Sequence, residues 1–92
     1  MRAVRVVVNG HVQGVGYRWF TRDAARAAGI AGWVRNRHNG SVEAVLQGAD
    51  DSVEAVLAAM QAGPDRSRVE DLSISDAAAD PAVTAFELRP TV

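Results

Sequence analysis

Three glycines and an arginine lie close together near the start of the chain, in the stretch Val8–Arg18. Gly10, Gly14 and Gly16 follow a β-branched run, and Arg18 comes where an amphipathic helix is predicted to begin. Glycine permits backbone conformations in which neighbouring N–H groups point at one oxyanion, and the first turn of a helix adds unpaired N–H groups and partial positive charge. An arginine adds a planar, permanently charged fork. The stretch is therefore predicted to bind an anion.

This glycine-rich loop differs from the common nucleotide-binding loops. It lacks the Lys-Ser/Thr pair of a Walker A motif, and its glycine spacing does not match the dinucleotide fingerprint. A glycine-bearing turn between a strand and a helix is often only a turn. The pattern alone leaves both interpretations open.

Asn36 is the second candidate site residue, because it ends a predicted strand just before a turn. Its amide both donates and accepts hydrogen bonds, so it could hold a water molecule near the loop, although asparagine is also a common turn former. His38 is predicted to be solvated, and His11 is either a surface residue or a contributor to positive potential. Neither histidine has companion ligands at a metal-binding spacing, so no metal site is predicted.

Composition favours an ordered globular protein, with residues 1–92 forming one domain. There is no cysteine, which excludes disulfides and thiolate catalysis and fits a reducing compartment. No signal-peptide pattern and no membrane-spanning apolar run appear. We therefore expect a cytoplasmic protein that does not associate with membranes.

The net charge of −1 hides an asymmetry between the two parts of the chain. Residues 1–40 contain seven arginines and one acidic residue, a net charge of +6, whereas residues 41–92 contain three arginines and ten acidic residues, a net charge of −7. The positive charge shares a segment with the glycine-rich loop. A basic first part favours an anionic partner.

Hydrophobic periodicity predicts the order strand, helix, strand, strand, helix, strand, followed by a short terminal strand. The predicted strands are Val4–Val8, Ile30–Asn36, Ser41–Gln47, Arg68–Ser75 and a last strand with Thr84, Phe86 and Leu88 on one face. Asn39-Gly40 is a strong hairpin signal between the second and third strands. This order predicts an α+β, ferredoxin-like βαββαβ sandwich, with an antiparallel sheet and two helices on one face.

Each predicted helix has an apolar face. The first helix runs from Trp19 or Phe20 to Ala28, and its apolar face is predicted to be Phe20, Ala24, Ala27 and Ala28. The second helix follows Gly48 and ends at Gly63-Pro64, and its apolar residues at i, i+3, i+4 and i+7 are Val53, Val56, Leu57 and Met60. These faces are expected to cover the sheet.

The motifs in this chain resemble those of the acylphosphatases. The resemblance is carried by Gly10–Arg18 and by Gly32-Trp33-Val34-Arg35-Asn36, the latter followed by Gly40-Ser41-Val42-Glu43 and Gly48. It extends over essentially the whole chain. One departure is Tyr17, where phenylalanine or methionine is more usual in the family; the ring is retained, so the departure concerns local packing.

The resemblance implies an enzyme that hydrolyses a carboxyl–phosphate mixed anhydride to a carboxylate and inorganic phosphate, with neither metal nor cofactor. By this resemblance Arg18 and Asn36 are the catalytic residues, and Asn36 orients the attacking water. The phosphoryl group is expected to be bound by the loop residues His11, Val12, Gln13, Gly14, Val15, Gly16, Tyr17 and Arg18. Inorganic phosphate is then both product and competitor.

The chemistry of an acyl phosphate agrees with the absence of an obvious acid–base pair. A carboxylate leaving group is the conjugate base of an acid with a pKa of about 4, so it departs at neutral pH without a general acid. Phosphoryl transfer depends mostly on positioning and charge stabilisation. Phosphate esters, whose alkoxide leaving groups need protonation, are expected to be poor substrates.

The sequence leaves three alternatives open. The first is an RNA-binding module, but the first and third strands lack aromatic residues that would stack on bases, so we expect no nucleic-acid partner. The second is a ferredoxin-like regulatory domain that binds an anion without turnover. The third is a segment resembling the N-terminal domain of a larger carbamoyl-transfer protein, which is less favoured because the chain ends after its last strand. Size and polar surface favour a monomer.

Overall fold

The computed structural model describes residues 1–92 as five strands and two helices. Their bounds are β1 Arg2–His11, α1 Tyr17–Ala27, β2 Ala31–Asn36, β3 Val42–Gly48, α2 Asp50–Ala62, β4 Arg68–Asp76 and β5 Phe86–Leu88. The strands lie in the order β4-β1-β3-β2-β5 in one sheet. Neither helix is long and apolar enough to cross a membrane.

The ferredoxin-like prediction is confirmed, with one correction to the sheet. β1 pairs antiparallel with β3 and β4, and β2 pairs antiparallel with β3, as predicted. The short strand β5 pairs parallel with β2, so the five-stranded sheet is mixed and not wholly antiparallel. The connection from β4 crosses to the opposite edge of the sheet, and β5 then runs opposite to β4, which is also the direction of β2.

Alternation along the strands separates a buried face of the sheet from an outer face. On β1 the buried residues of this face are Val4, Val6 and Val8, and on β3 they are Val42, Ala44 and Leu46. The predicted apolar face of α2 is confirmed, because all four of its residues are buried in the same core cluster: Val53, Val56, Leu57 and Met60. Since this one cluster also contains residues of α1, both helices cover the same face.

The predicted apolar face of α1 needs correction, because Phe20, Ala24 and Ala28 are only partly buried and lie at the edge of the buried face. The structure buries Tyr17, Thr21 and Ala25, and it leaves Ala27 exposed. The helix begins at Tyr17, earlier than predicted, and the Tyr17 hydroxyl donates a hydrogen bond of 2.6 Å to the main-chain oxygen of Met60. Burial raises the pKa of the Tyr17 hydroxyl. This aromatic residue therefore anchors the start of α1 to α2.

Gly10 serves the pairing of β1 with β4. The register shifts between Asn9 and Gly10, which is a β-bulge, and Gly10 has φ +133°. A Cβ atom at this position would overlap the main-chain oxygen of Arg68. Gly10 is thus required because β1 and β4 approach each other closely at this position. Its role therefore differs from those of Gly14 and Gly16.

The turn between β2 and β3 is closed by several hydrogen bonds. The Arg37 N–H donates to the Ser41 carbonyl at 2.9 Å, and the Asn39 side-chain oxygen accepts from the Ser41 N–H at 3.0 Å and from its hydroxyl at 2.6 Å. Gly40 has φ +94°. The predicted Asn39-Gly40 hairpin is confirmed, and it follows directly on Asn36.

Candidate functional site

Sheet register brings the glycine-rich loop and Asn36 to the same edge of the sheet. Val8 of β1 pairs with Val42 of β3, and Val42 pairs with Asn36 of β2. β1 and β2 run in the same direction, because both are antiparallel to β3. Residues in one row across a sheet share a face, so Asn36 lies on the helix-covered face with Val8 and Val42. The segment Val12–Gly16, which we call the phosphate loop, begins just beyond this row.

The backbone of the phosphate loop has the alternation typical of anion-binding nests. Gly14 has φ +73° and Gly16 has φ +78°, and no residue other than glycine has a positive φ, so Val15 between them has a negative φ. Alternating conformations of this kind turn successive N–H groups toward one point. A Cβ atom at Gly14 or Gly16 would meet nothing within 4 Å. Both glycines are therefore needed for conformation, and the loop is open to solvent on that side.

No N–H group of the phosphate loop donates to a protein carbonyl. The next residues begin α1, whose first turn has neither a side-chain cap nor an acidic residue. The unpaired N–H groups thus lie next to the positive end of the helix dipole, and no acidic side chain of the first turn of α1 offsets this positive charge. This arrangement is suited to a small anion.

Arg18 is the second residue of α1, and its side chain is half-buried. It takes part in none of the four ion pairs of the protein. An arginine at this position adds positive charge beside the loop, and its fork can bind two oxygens of a phosphoryl group.

The Gln13 side chain links the phosphate loop to the β2–β3 turn. Its Nε2 donates to the main-chain oxygen of Arg37 at 2.8 Å and to that of Ser41 at 2.9 Å. Both acceptors lie within five residues of Asn36 along the chain. No local sequence pattern predicts this link, because nothing near Gln13 in the chain indicates which carbonyls its side chain reaches. The Gln13 side chain therefore holds the two parts of the candidate site together, while its N–H group stays available to an anion.

Asn36 presents an unpaired amide oxygen. Its Oδ1 is buried and has no hydrogen-bond partner. Its main chain is held in place, since the Asn36 carbonyl accepts a hydrogen bond of 3.2 Å from the Val92 N–H. Leaving a buried polar atom unpaired costs about 1–3 kcal/mol, so such atoms in folded proteins need an explanation. Thr21 Oγ1 is also buried without a partner, but only Asn36 belongs to the strand row that leads into the phosphate loop, where orienting water is a role for its amide.

Three predicted site residues turn their side chains away from the loop or out to solvent. Val12 and Tyr17 are buried in the core, so only their N–H groups are available to an anion. His11 is the last residue of β1, pairs with Arg68 of β4 and is exposed. No three His, Cys, Asp or Glu side chains come together as a metal site would require. The expected independence from metal stays a prediction.

Comparison with known proteins identifies the family. The sequence model described as Acylphosphatase matches residues 4–88. The acylphosphatase of Oceanobacillus iheyensis is 44% identical over 90 residues, which span 97% of this chain and 99% of that protein. "Acylphosphatase 2" of Ralstonia nicotianae is 48% identical over 89 residues, which span 97% of this chain and 94% of that protein.

Solved structures agree with the sequence relatives. The crystal structure of acylphosphatase from Bacillus subtilis superposes with a TM-score of 0.92 at 32% identity, over 97% of this chain and 99% of that one. Full-length HypF, at 21% identity, shares the fold over 98% of this chain with a TM-score of 0.90, but only 12% of HypF is involved. The resemblance seen in the motifs is confirmed, and the chain belongs to the acylphosphatase family.

Proposed function

We propose that the phosphate loop, the first turn of α1 and Arg18 bind the phosphoryl group of an acyl phosphate, and that Asn36 orients the water that attacks phosphorus. The family's reaction, hydrolysis of a small acyl phosphate to a carboxylate and inorganic phosphate, is the activity of this chain. The proposal therefore concerns which residues perform that reaction.

One observation carries the assignment. The buried, unpartnered Oδ1 of Asn36 belongs to a strand residue in the same sheet row as Val8, from which the chain continues into the phosphate loop. Gln13 connects this loop to the turn that follows Asn36. An anion held by the loop would thus lie beside an amide that makes no hydrogen bond to the protein and has to turn in order to present its oxygen to a water.

The proposed reaction transfers the phosphoryl group directly to water. Loop N–H groups and the Arg18 guanidinium bind the nonbridging phosphoryl oxygens and stabilise the charge on them in the transition state. The water held by Asn36 forms a bond to phosphorus while the bond between phosphorus and the carboxylate oxygen breaks. The electron pair leaves with the carboxylate, and a phosphoryl oxygen accepts the proton lost by water.

Leaving-group chemistry sets the substrate class. A carboxylate needs no protonation in order to depart at neutral pH, whereas an alkoxide does. The phosphate loop and Asn36 supply hydrogen bonds and charge, and this mechanism assigns no side chain as a proton donor to the leaving group. Acyl phosphates are therefore substrates, and alkyl phosphates are expected to be poor ones.

Several wider properties form part of the same proposal. Inorganic phosphate competes with substrate for the loop, and the reaction requires neither metal nor cofactor. Residues 1–92 act as one domain, supported by the single core that the sheet and both helices share. A monomer is supported by the small number of large exposed hydrophobic residues, and a cytoplasmic location by the charge of acyl phosphates, which opposes passage through a bilayer.

A continuous assay of acetyl phosphate loss tests the function. We expect turnover that is unaffected by a chelator, that is inhibited competitively by inorganic phosphate and that is far slower with ethyl phosphate. Loss of activity on chelation, or equal rates on the two substrates, would contradict the proposed chemistry. Sedimentation equilibrium and cell fractionation test the monomeric state and the location.

A further inference from the structure

The outer face of the sheet, which neither helix covers, contains a second concentration of arginines. The largest surface cavity opens there, and it is lined by Arg5, Arg35, Arg37, His38, Asn39, Glu43 and Val92. We call it the outer cavity. Glu43 pairs with Val7 and with Arg35 in the sheet register, on the face opposite to Val8, Val42 and Asn36. The outer cavity is thus distinct from the phosphate loop.

Glu43 holds two of these arginines in fixed positions. The Arg5 Nε and Nη2 lie 2.7 and 2.6 Å from Glu43 Oε2, and the Arg35 Nε and Nη2 lie 2.8 and 2.7 Å from Oε1. The Glu43 side chain is only 7% exposed, whereas those of Arg5 and Arg35 are 42% and 26% exposed. A buried carboxylate thus orients two forks that remain accessible. Each fork retains N–H donors that Glu43 does not take.

Charge in the outer cavity is not balanced. Among the side chains of the lining, three guanidinium groups face one carboxylate, whose two oxygens are already taken, and Arg37 has no side-chain partner. The main-chain oxygen of Val92, also in the lining, accepts a hydrogen bond of 2.7 Å from the His38 N–H. Asn39 uses its side-chain oxygen to accept hydrogen bonds from Ser41, so its amide nitrogen is the group that can donate to a ligand. The side chains of the lining consequently offer more hydrogen-bond donors than free acceptors. Such a lining suits an oxyanion and disfavours a cation or a neutral acceptor-poor ligand.

We propose that the outer cavity is a second anion site, which binds a small dianionic oxyanion such as inorganic phosphate or the phosphate group of a monoester. Its arginines outnumber its carboxylates, so the cavity keeps a net positive charge that favours such a group. This site also accounts for three of the seven arginines in residues 1–40, because Arg5 of β1 meets here Arg35 and Arg37, which lie at and just beyond the end of β2. The proposal does not depend on which residues perform hydrolysis.

Phosphate titration with NMR detection of the arginine side chains tests the proposal. The titration is performed on the wild-type protein and on Arg18→Ala, in which the phosphate loop has lost its arginine. We expect saturable shifts of the Arg5 and Arg35 Nε–Hε signals in both proteins. Arg37→Gln, which leaves the Glu43 ion pairs intact, is expected to weaken this binding about 10- to 100-fold, the effect of losing one charged hydrogen bond.

Arg66→Gln is the matched control, because Arg66 is exposed and lies outside the outer cavity. It is expected to leave the affinity unchanged. The absence of saturable shifts at Arg5 and Arg35, or equal affinities in Arg37→Gln and Arg66→Gln, would overturn the proposal. Shifts that vanish in Arg18→Ala would also overturn it, because they would show that phosphate binds only at the phosphate loop.

Discussion

The two faces of the sheet use their polar groups in opposite ways. On the outer face, Glu43 is buried and each of its oxygens accepts hydrogen bonds from an arginine. On the helix-covered face, the Oδ1 of Asn36 is buried without a partner and Arg18 has no ion pair. Paired polar groups add to stability, whereas unpaired ones reduce it and persist where a ligand needs them. Substitutions on the two faces should therefore separate activity from stability.

Arg18→Ala should have the largest effect on activity. Removing the charge that stabilises a phosphoryl group in the transition state is expected to lower kcat/KM by about 10³- to 10⁵-fold. Phosphate binding at the loop should weaken as well. Steady-state kinetics on acetyl phosphate, with Arg66→Ala as control, measure the effect. If Arg18→Ala hydrolysed acetyl phosphate at the wild-type rate, Arg18 would not be a catalytic residue.

Gln13→Ala should lower activity because the phosphate loop is displaced relative to Asn36. Loss of the bonds to the Arg37 and Ser41 carbonyls frees the phosphate loop from the turn after Asn36, and a misplacement of this kind can lower kcat/KM by up to about 100-fold. Two lost hydrogen bonds should also lower the free energy of unfolding by about 1–3 kcal/mol.

Gln47 provides a matched control for Gln13. Its Nε2 also donates to two main-chain oxygens, those of Asp80 at 2.8 Å and Val83 at 3.0 Å, but near the opposite end of β3. Gln47→Ala should therefore lose stability to a similar or greater extent while kcat/KM stays at the wild-type value. Equal losses of activity in the two variants would show that the Gln13 effect is only structural.

Glu43→Gln should change stability and leave turnover unchanged. Desolvation acts to raise the pKa of Glu43, but hydrogen bonds from Arg35 and Arg5 outweigh it, so the pKa lies below its ordinary value. A lowered pKa in the folded state means that the ionised form contributes stability at pH above the ordinary glutamate value of about 4.3. That contribution is lost as the pH falls from there through the lowered pKa.

Urea unfolding as a function of pH measures the Glu43 contribution. At neutral pH we expect Glu43→Gln to lower the free energy of unfolding by about 1–2 kcal/mol, since the two arginines are partly exposed and solvent screens them. The difference from wild type should shrink as the pH falls below the ordinary glutamate pKa. Glu87→Gln, at an exposed position without an ion pair, is the control. A difference that does not change with pH would contradict the ion-pair explanation.

Local signals were predicted well from the sequence, and long-range contacts were not. The β2–β3 hairpin and the α2 stripe follow from neighbouring residues, namely Asn39-Gly40 and an apolar period of 3.6 residues. The buried face of α1 was missed because Tyr17, taken as a loop residue, belongs to the helix and reaches Met60, 43 residues further along the chain. Such a contact leaves no mark in a local pattern.

In the candidate site too, local signals were predicted from the sequence and long-range contacts were not. The types and spacing of Gly14, Gly16 and Arg18 predicted an anion-binding loop. The link made by Gln13 depends on carbonyls 24 and 28 residues away, and the meeting of Arg5, Arg35 and Glu43 depends on strand register. Both require the folded sheet, so neither was available from composition or spacing.

Asn36→Ala tests the central claim most directly, because it separates water activation from phosphate binding. Turnover of acetyl phosphate and phosphate affinity at the phosphate loop are measured on the same variant. We predict a fall in kcat of about 10²- to 10³-fold, typical for loss of one hydrogen bond to reacting atoms, with phosphate affinity at wild-type strength. Stability should not fall, since the variant removes a buried unpaired oxygen. Wild-type kcat, or loss of phosphate binding together with turnover in a folded variant, would contradict the account.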